Sequence, residues 1–207
     1  KGFIYTSSIA VYGKNQLPMH ENMLPQPEDS YGIAKYAVEM ELAATRQLFG
    51  LDYIIFRPHN VYGERQHIGD KYRNVLGIFM NQIMKGEPLT IFGDGQQQRA
   101  FTYISDVAPI VAKSIHVPQA YNQLFNIGSD RAVSVKELAH IVAKAMGVEP
   151  KINHLPVRHE VKHAYSDHTR AKDIFGHKDF VDIEEGIRRM AEWAKQVGSR
   201  QTQQFDN

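Results

Sequence analysis

The 207-residue chain has no cysteine, which rules out disulfides, thiolate nucleophiles and cysteine-ligated zinc. It also lacks an excess of either charge. Its 24 Lys and Arg against 23 Asp and Glu leave a formal net charge of +1, which gives no basis for binding nucleic acid or an anionic membrane. Long apolar runs are missing as well: Tyr53-Ile54-Ile55-Phe56 is among the longest and is far too short to cross a bilayer. There is no internal repeat and no low-complexity tract. The opening Lys1-Gly2 leads straight into strand-like sequence with no signal-peptide pattern, so the expected location is the cytoplasm. The length suffices for one globular domain, or a domain plus a small lobe.

The first sixty residues carry the clearest pattern. Phe3-Ile4-Tyr5-Thr6-Ser7-Ser8 reads as a buried strand with hydroxyls at its carboxyl end. Residues 13–30 hold Gly13, Pro18, Pro25 and Pro27 and read as a loop. Asp29 or Ser30 caps a helix that runs to about Leu48 and stops at Gly50. Leu51 to Arg57 is a second buried strand, so the three form a parallel βαβ unit. Further on, helices are predicted at Val75–Lys85, from Ser105 to about His116, after a Ser134/Glu137 capping box, near 168–175 and at 182–197. Short strands are predicted at Leu89–Phe92, Phe101–Ile104 and Leu124–Ile127, with an extended stretch from 150 to 165. These shorter, mixed segments suggest a boundary after residue 63, with a smaller lobe over 64–197 and a polar tail at 198–207.

Tyr31 and Lys35 are four apart on the predicted helix and therefore share a face. A free phenol titrates near ~10, so about one molecule in a thousand is ionised at neutral pH. An adjacent ammonium favours the phenolate and makes a tyrosine usable as a base. Taken alone, the pair reads as an amphipathic-helix tyrosine beside a solvated lysine. Its surroundings decide.

Four further segments accompany it: Ser7-Ser8-Ile9-Ala10-Val11-Tyr12-Gly13, Arg57-Pro58-His59-Asn60-Val61-Tyr62-Gly63, Ile91-Phe92-Gly93-Asp94-Gly95, and Arg99-Ala100-Phe101-Thr102-Tyr103-Ile104-Ser105-Asp106-Val107. Together with Ser30-Tyr31-Gly32-Ile33-Ala34-Lys35 they resemble, in order, the motifs of the extended short-chain dehydrogenase/reductase family acting on nucleotide sugars. The likeness reaches about residue 190 and is nearest in kind to the UDP-glucose and UDP-N-acetylglucosamine 4-epimerases. It implies an α/β fold: the C-terminal part of a Rossmann-type parallel sheet in 1–63, and a small α/β nucleotide-sugar lobe. It implies NAD as cofactor, with Tyr31 as base, Lys35 beside it and on the nicotinamide ribose, Ser8 bonded to the reacting oxygen, and the His59 backbone near the nicotinamide amide. NAD carries the redox chemistry, and the protein orients it.

The same resemblance implies UDP-sugar contacts at Asn60, Asn74, Arg99 and Arg158, a guanidinium being suited to phosphate oxygens. Read from the residues alone, Asn60 satisfies a turn, and Arg99 and Arg158 are surface charges; the ordered motifs around Asn60 and Arg99 favour the binding role. No metal is implied. His154, His159, His163 and His168 are loosely spaced and read as solvated histidines.

Departures matter too. The family's glycine-rich turn, which seats the NAD pyrophosphate on a helix N-terminus, has no counterpart here. NAD binding by this chain alone is therefore expected to be weak, and the chain reads as truncated. A strand that has lost its neighbour invites pairing, so a homodimer or other self-association is expected through that edge or through the helix after Tyr31. Ile9-Ala10 stand where related 4,6-dehydratases carry an acidic pair, which disfavours dehydration. The expected function is 4-epimerisation of a UDP-hexose through a 4-keto intermediate. The alternatives are another reaction of the family, dehydration or keto-sugar reduction, or an inert nucleotide-sugar-binding or assembly module.

Overall fold

A computed structural model describes residues 2–70, 73–157, 163–176 and 180–202. In chain order its elements are β1 (Gly2–Thr6), a 3-10 turn (Ile9–Tyr12), α1 (Ser30–Phe49), β2 (Asp52–Pro58), β3 (Val61–Tyr62), α2 (Val75–Met84), β4 (Leu89–Phe92), β5 (Gln98–Ala100), β6 (Thr102–Tyr103), α3 (Ala108–Lys113), β7 (Gln123–Ile127), β8 (Ala132–Ser134), α4 (Val135–Met146), β9 (Ile152–Leu155), β10 (His163–Ala164), α5 (Thr169–Phe175) and α6 (Ile183–Val197). They fall into two units. One gathers 1–61, 100–132 and 163–180; the other gathers 62–99, 133–162 and 181–207. The segments alternate along the chain, whereas the sequence suggests a single boundary after residue 63.

The first unit is built on a parallel sheet ordered β1-β2-β7, with Gly2 opposite Asp52 and Ile54 opposite Gln123. β2 lies in the middle, and Ile54 to Arg57 are all buried, as its run of large β-formers requires. Phe56 and Phe125 stack across strands with centroids 5.7 Å apart, in a core shared with Ile54, Ile127, Val107, Ile110 and Ala171. The crossover from β1 to β2 is α1. Asp29 is its N-cap, the Oδ1 accepting from Gly32 N at 2.6 Å, and Gly50 closes it. Of its twenty residues only Gly32, Glu39 and Leu42 are buried.

The second unit pairs β4 with β9 in parallel, Leu89 opposite Ile152, and packs α4 against α2 and α6. Ser134 Oγ accepts from Glu137 N at 3.0 Å, as its capping sequence predicts. Leu138, Ala139, Val142, Ala143 and Met146 then bury one face of α4 at helical spacing. On α6 the buried set is Ile183, Gly186, Ile187, Met190, Ala191 and Ala194. Each large aliphatic side chain buried this way is worth about 1.5–3 kcal/mol.

Two segments differ from the sequence reading. The helix predicted from Ser105 to His116 keeps α-helical geometry only over Ala108–Lys113, with 3-10 turns at both ends; Pro109, at its start, cannot donate into a preceding turn. The strand predicted at Phe101–Ile104 is confined to Thr102–Tyr103: Phe101 separates it from β5, and Ile104 begins a 3-10 turn. Among the described residues no helix is long and apolar enough to cross a membrane.

Candidate active site

At the carboxyl end of β1 the ladder continues one residue, with Ser7 N donating to Phe56 O at 2.7 Å. Ser8 then caps the 3-10 turn: its Oγ accepts from Ala10 N at 3.2 Å. A hydroxyl that accepts in this way keeps its own proton to donate elsewhere. The first turn of α1 lies hard against this turn. A Cβ added at Gly32 would stand 2.7 Å from Ala10 O, so only glycine allows the approach.

Four further contacts, all made by Lys35, mark the face that α1 presents. Lys35 Nζ donates to Thr6 O at 2.8 Å. The same ammonium lies 5.7 Å from the Tyr31 ring centroid and 5.1 Å from that of Tyr5. Tyr5 Oη in turn donates to Lys35 O at 3.4 Å. Tyr31 is 55% exposed, so its phenol is open to a ligand. Tyr31 and Lys35 thus share a face, as their spacing predicts, and Lys35 reaches the end of β1, with Ser8 two residues past the carbonyl that holds it. Burial raises the Tyr5 phenol above its ordinary value, and Glu39 and Tyr31 push the same way.

One turn beyond Lys35 on the same face is Glu39, which is buried and receives Arg57 through both carboxylate oxygens; Arg57 Nε lies 2.9 Å from Oε1. The guanidinium stacks 4.6 Å from the Tyr12 ring centroid. Tyr12 Oη donates to Asn126 Oδ1 at 2.8 Å, and Asn126 Nδ2 to Met19 O at 3.0 Å. Burial alone would lower the Arg57 guanidinium, but Glu39 and Tyr12 together outweigh burial and hold it above its ordinary value. This network joins α1, the 3-10 turn, β2 and β7. It therefore sets the rotation of α1 about its axis, and with it the direction of Tyr31 and Lys35.

Past β2 the chain turns at Asn60, whose φ is 40°. Asn60 Nδ2 donates to Ala100 O at 2.8 Å, and Thr102 N donates to Asn60 O at 3.2 Å. Beside it His59 is buried, with Nδ1 3.2 Å from the same Ala100 O and Nε2 2.7 Å from His168 Nε2. A Cβ at Gly128 would fall 2.3 Å from His59 Nε2, so the ring occupies space that only a glycine leaves. His168 Nδ1 lies 2.7 Å from Asp130 Oδ1, and Lys172 Nζ bonds the other oxygen of Asp130. Burial, with His168 pushing the same way, lowers His59 to about 3 although Ala100 O and Asp130 pull it upward. Burial lowers His168 too, although Asp130 pulls it upward. Burial would raise the Asp130 carboxyl, but Lys172 and His168 hold it below the usual carboxylate range.

His168 therefore corrects the sequence reading. It is 2% exposed rather than solvated, because the start of α5 packs it against the end of β2. His154 and His163 are exposed, as predicted, and His159 lies outside the described residues. Among the described residues no three His, Asp or Glu side chains are grouped to hold a metal ion. Asn74 and Arg99 belong to the other unit. Asn74 is exposed at the start of α2, with φ 64° and no capping bond. Arg99 is half-buried on β5, and its Nη1 donates to Gln98 O at 2.8 Å. Arg158 lies outside the described residues. The sequence reading passed over Tyr5, Glu39, Asp130 and Lys172. Of these only Glu39 carried a signal, its i+8 spacing from Tyr31.

The chain matches the NAD dependent epimerase/dehydratase family over residues 1–128. It is 33% identical to a UDP-glucose 4-epimerase of Thermotoga maritima solved with UDP-glucose, with a TM-score of 0.88, covering 95% of this chain and 64% of that one. A UDP-N-acetylglucosamine 4-epimerase of Methanobrevibacter ruminantium, solved with UDP-N-acetylmuramic acid, is 30% identical with a TM-score of 0.86, over 92% of this chain and 61% of the other. A UDP-glucose 4-epimerase of Mycolicibacterium smegmatis is 32% identical over 194 residues, 92% of this chain and 61% of its own. The chain thus spans about three fifths of the length of these relatives. The parallel α/β arrangement is that of the Rossmann-type sheet.

Proposed function

The chain belongs to the NAD-dependent epimerase/dehydratase family, and from that premise we propose that it carries the proton-transfer residues of a nucleotide-sugar 4-epimerase acting on a UDP-hexose. The observation that carries this reading is the lysine anchored on Thr6 O at 2.8 Å with its ammonium 5.7 Å from the Tyr31 ring. In this reading Tyr31, as the phenolate beside the Lys35 ammonium, takes the proton from the sugar 4-hydroxyl and returns it after the 4-keto sugar has turned in the site. The Ser8 hydroxyl donates to the same oxygen. General acid–base help of this kind is worth about 10²–10⁴-fold in rate.

NAD, when bound, supplies the hydride acceptor and donor at the sugar carbon. The donor set fits its nicotinamide-ribose end: an ammonium has three protons, and Thr6 O takes one. Tyr31 and Lys35 would hold the ribose, and the His59 backbone would border the nicotinamide amide. No glycine-rich turn for the pyrophosphate occurs in this sequence, so the chain alone is proposed to bind NAD weakly. Asn60, Asn74, Arg99 and Arg158 are proposed to hold the UDP-sugar.

Epimerisation is preferred over dehydration because Ile9 and Ala10, in the turn beside Tyr31, have no proton to move. The test is formation of UDP-glucose from UDP-galactose by the chain with excess NAD. The reading expects turnover that vanishes in Tyr31→Phe. UDP-sugar binding without any turnover would instead support an inert binding module.

A further inference from the structure

The buried histidine pair has a proton count that its neighbours impose. Ala100 O is a carbonyl and only accepts, so His59 Nδ1 must carry a proton to bond it at 3.2 Å. The Asp130 carboxylate also only accepts, so His168 Nδ1 must carry one to bond it at 2.7 Å. Between them the two Nε2 atoms face each other at 2.7 Å. Two lone pairs repel at that distance, and two N–H groups collide. One proton, and only one, satisfies the gap. The rings together then hold three N–H protons and one positive charge, balanced by Asp130.

We propose that His168 is a positioning residue for the His59–Asn60 segment: a single proton held between the two Nε2 atoms lets His59 keep its bond to Ala100 O, the carbonyl that also anchors Asn60. Remove that proton and one link must break. If His59 keeps its Nδ1 proton for Ala100, the two Nε2 lone pairs separate, and Ser166 Oγ, 3.1 Å from His168 Nε2, donates there instead. If His59 moves its proton to Nε2, it faces Ala100 O with a lone pair and the Ala100 bond is lost. In the first case the His59 ring, still bonded to Ala100 O, moves away from His168; in the second the carbonyl that holds the Asn60 amide at 2.8 Å loses one of its partners.

The charges around the pair come from every element packed on it. Asp130, between β7 and β8, bonds His168; Lys172 on α5 bonds Asp130 and opposes a charge on His168; Asp167, just before α5, favours that charge and is itself 3.8 Å from His20 Nδ1. The proton resides on His168, next to its counter-ion, while His59 stays neutral. Burial of His168 sets the release of this proton below the pH at which an exposed histidine lets go.

The test is a pH titration of the ¹⁵N-labelled chain by NMR, reading imidazole nitrogens and the Asn60 side-chain amide without substrate. The expected result is a neutral His59 with its proton on Nδ1, a doubly protonated His168 at low pH, and an Asn60 amide that shifts with the same midpoint as His168. In Asp130→Asn, that midpoint falls and the Asn60 shift follows it. An Asn60 amide indifferent to the His168 titration overturns the proposal, as does a His59 that carries its proton on Nε2 at low pH. Only the effect on sugar affinity rests on the epimerase reading: Asp130→Asn then raises KM several-fold more than it lowers kcat. The NMR arm uses no activity, so failure of the proton-sharing account and failure of the epimerase reading give different results.

Discussion

Lys35 Nζ and Thr6 O are 2.8 Å apart, a hydrogen bond that ties the second turn of α1 to the last residue of β1. It places a fixed positive charge beside the Tyr31 ring and close to the turn that Ser8 begins. An unanchored lysine of that length has rotamer freedom worth about 2 kcal/mol. The carbonyl removes part of that freedom before any ligand arrives.

The close approach of α1 to the 3-10 turn predicts a stability change opposite to helix propensity. Alanine is favoured over glycine inside a helix by about 1 kcal/mol. At Gly32 the new Cβ would meet Ala10 O at 2.7 Å, a backbone atom that cannot swing away. Gly32→Ala is therefore expected to destabilise by about 1–3 kcal/mol in urea unfolding. A stabilised variant would show that the turn and the helix are not in contact.

The Glu39–Arg57 pair is fully buried, so its two members are not equivalent to a surface ion pair. Removing one partner leaves the other charged and uncompensated, at a cost of about 3–5 kcal/mol. Glu39→Ala is expected to lower stability by that amount in chemical denaturation. A loss below about 1 kcal/mol would mean that the pair is solvated and does not set the rotation of α1.

How much of this was legible beforehand depends on the range of the interaction. Ser134 with Glu137, Gly50 after α1, and the run Tyr53–Arg57 act within a few residues, and each forms the element its sequence predicts. Tyr31 and Lys35 also needed only helical spacing. His59 and His168 are 109 residues apart, and a sequence shows no sign that they touch. The return of β7 beside β2, with its Asn126 bonded to Tyr12, is equally a product of the completed fold. Asp130 and Lys172 become informative only once that return is made.

Acid should weaken the fold through His59. Its folded value is near 3, against about 6.5 for an exposed histidine. Between those values the unfolded chain binds a proton that the folded chain refuses, so stability rises with pH across that window and is lost as pH falls through it. At ~1.4 kcal/mol per unit the loss is about 4–5 kcal/mol between pH 6.5 and 3. Thermal melts from pH 7 to 4 are expected to fall steeply, and less so in His59→Phe. A flat profile over that range would contradict a neutral, buried His59.

Self-association is the expected state in solution. β1 is at the edge of the β1-β2-β7 sheet with Phe3 exposed, and α1 exposes Ile33, Met40, Leu48 and Phe49. Edge strands and apolar faces of this kind pair with other chains. Sedimentation velocity should show a concentration-dependent dimer, reduced by the double substitution Ile33→Glu and Met40→Glu on one face of α1. A monomer at all concentrations would exclude both surfaces as interfaces.

The central claim is that the Tyr31 hydroxyl moves the sugar proton with Lys35 beside it. The most direct measurement is epimerisation of UDP-galactose at saturating NAD by the chain, Tyr31→Phe and Lys35→Met, with UDP-galactose binding and thermal unfolding followed in parallel. Tyr31 is exposed, so its loss of one oxygen should change stability by no more than about 0.5 kcal/mol. The account predicts sugar binding within about twofold of the parent chain and turnover lower by about 100-fold or more in both variants. Turnover undiminished in Tyr31→Phe would contradict it.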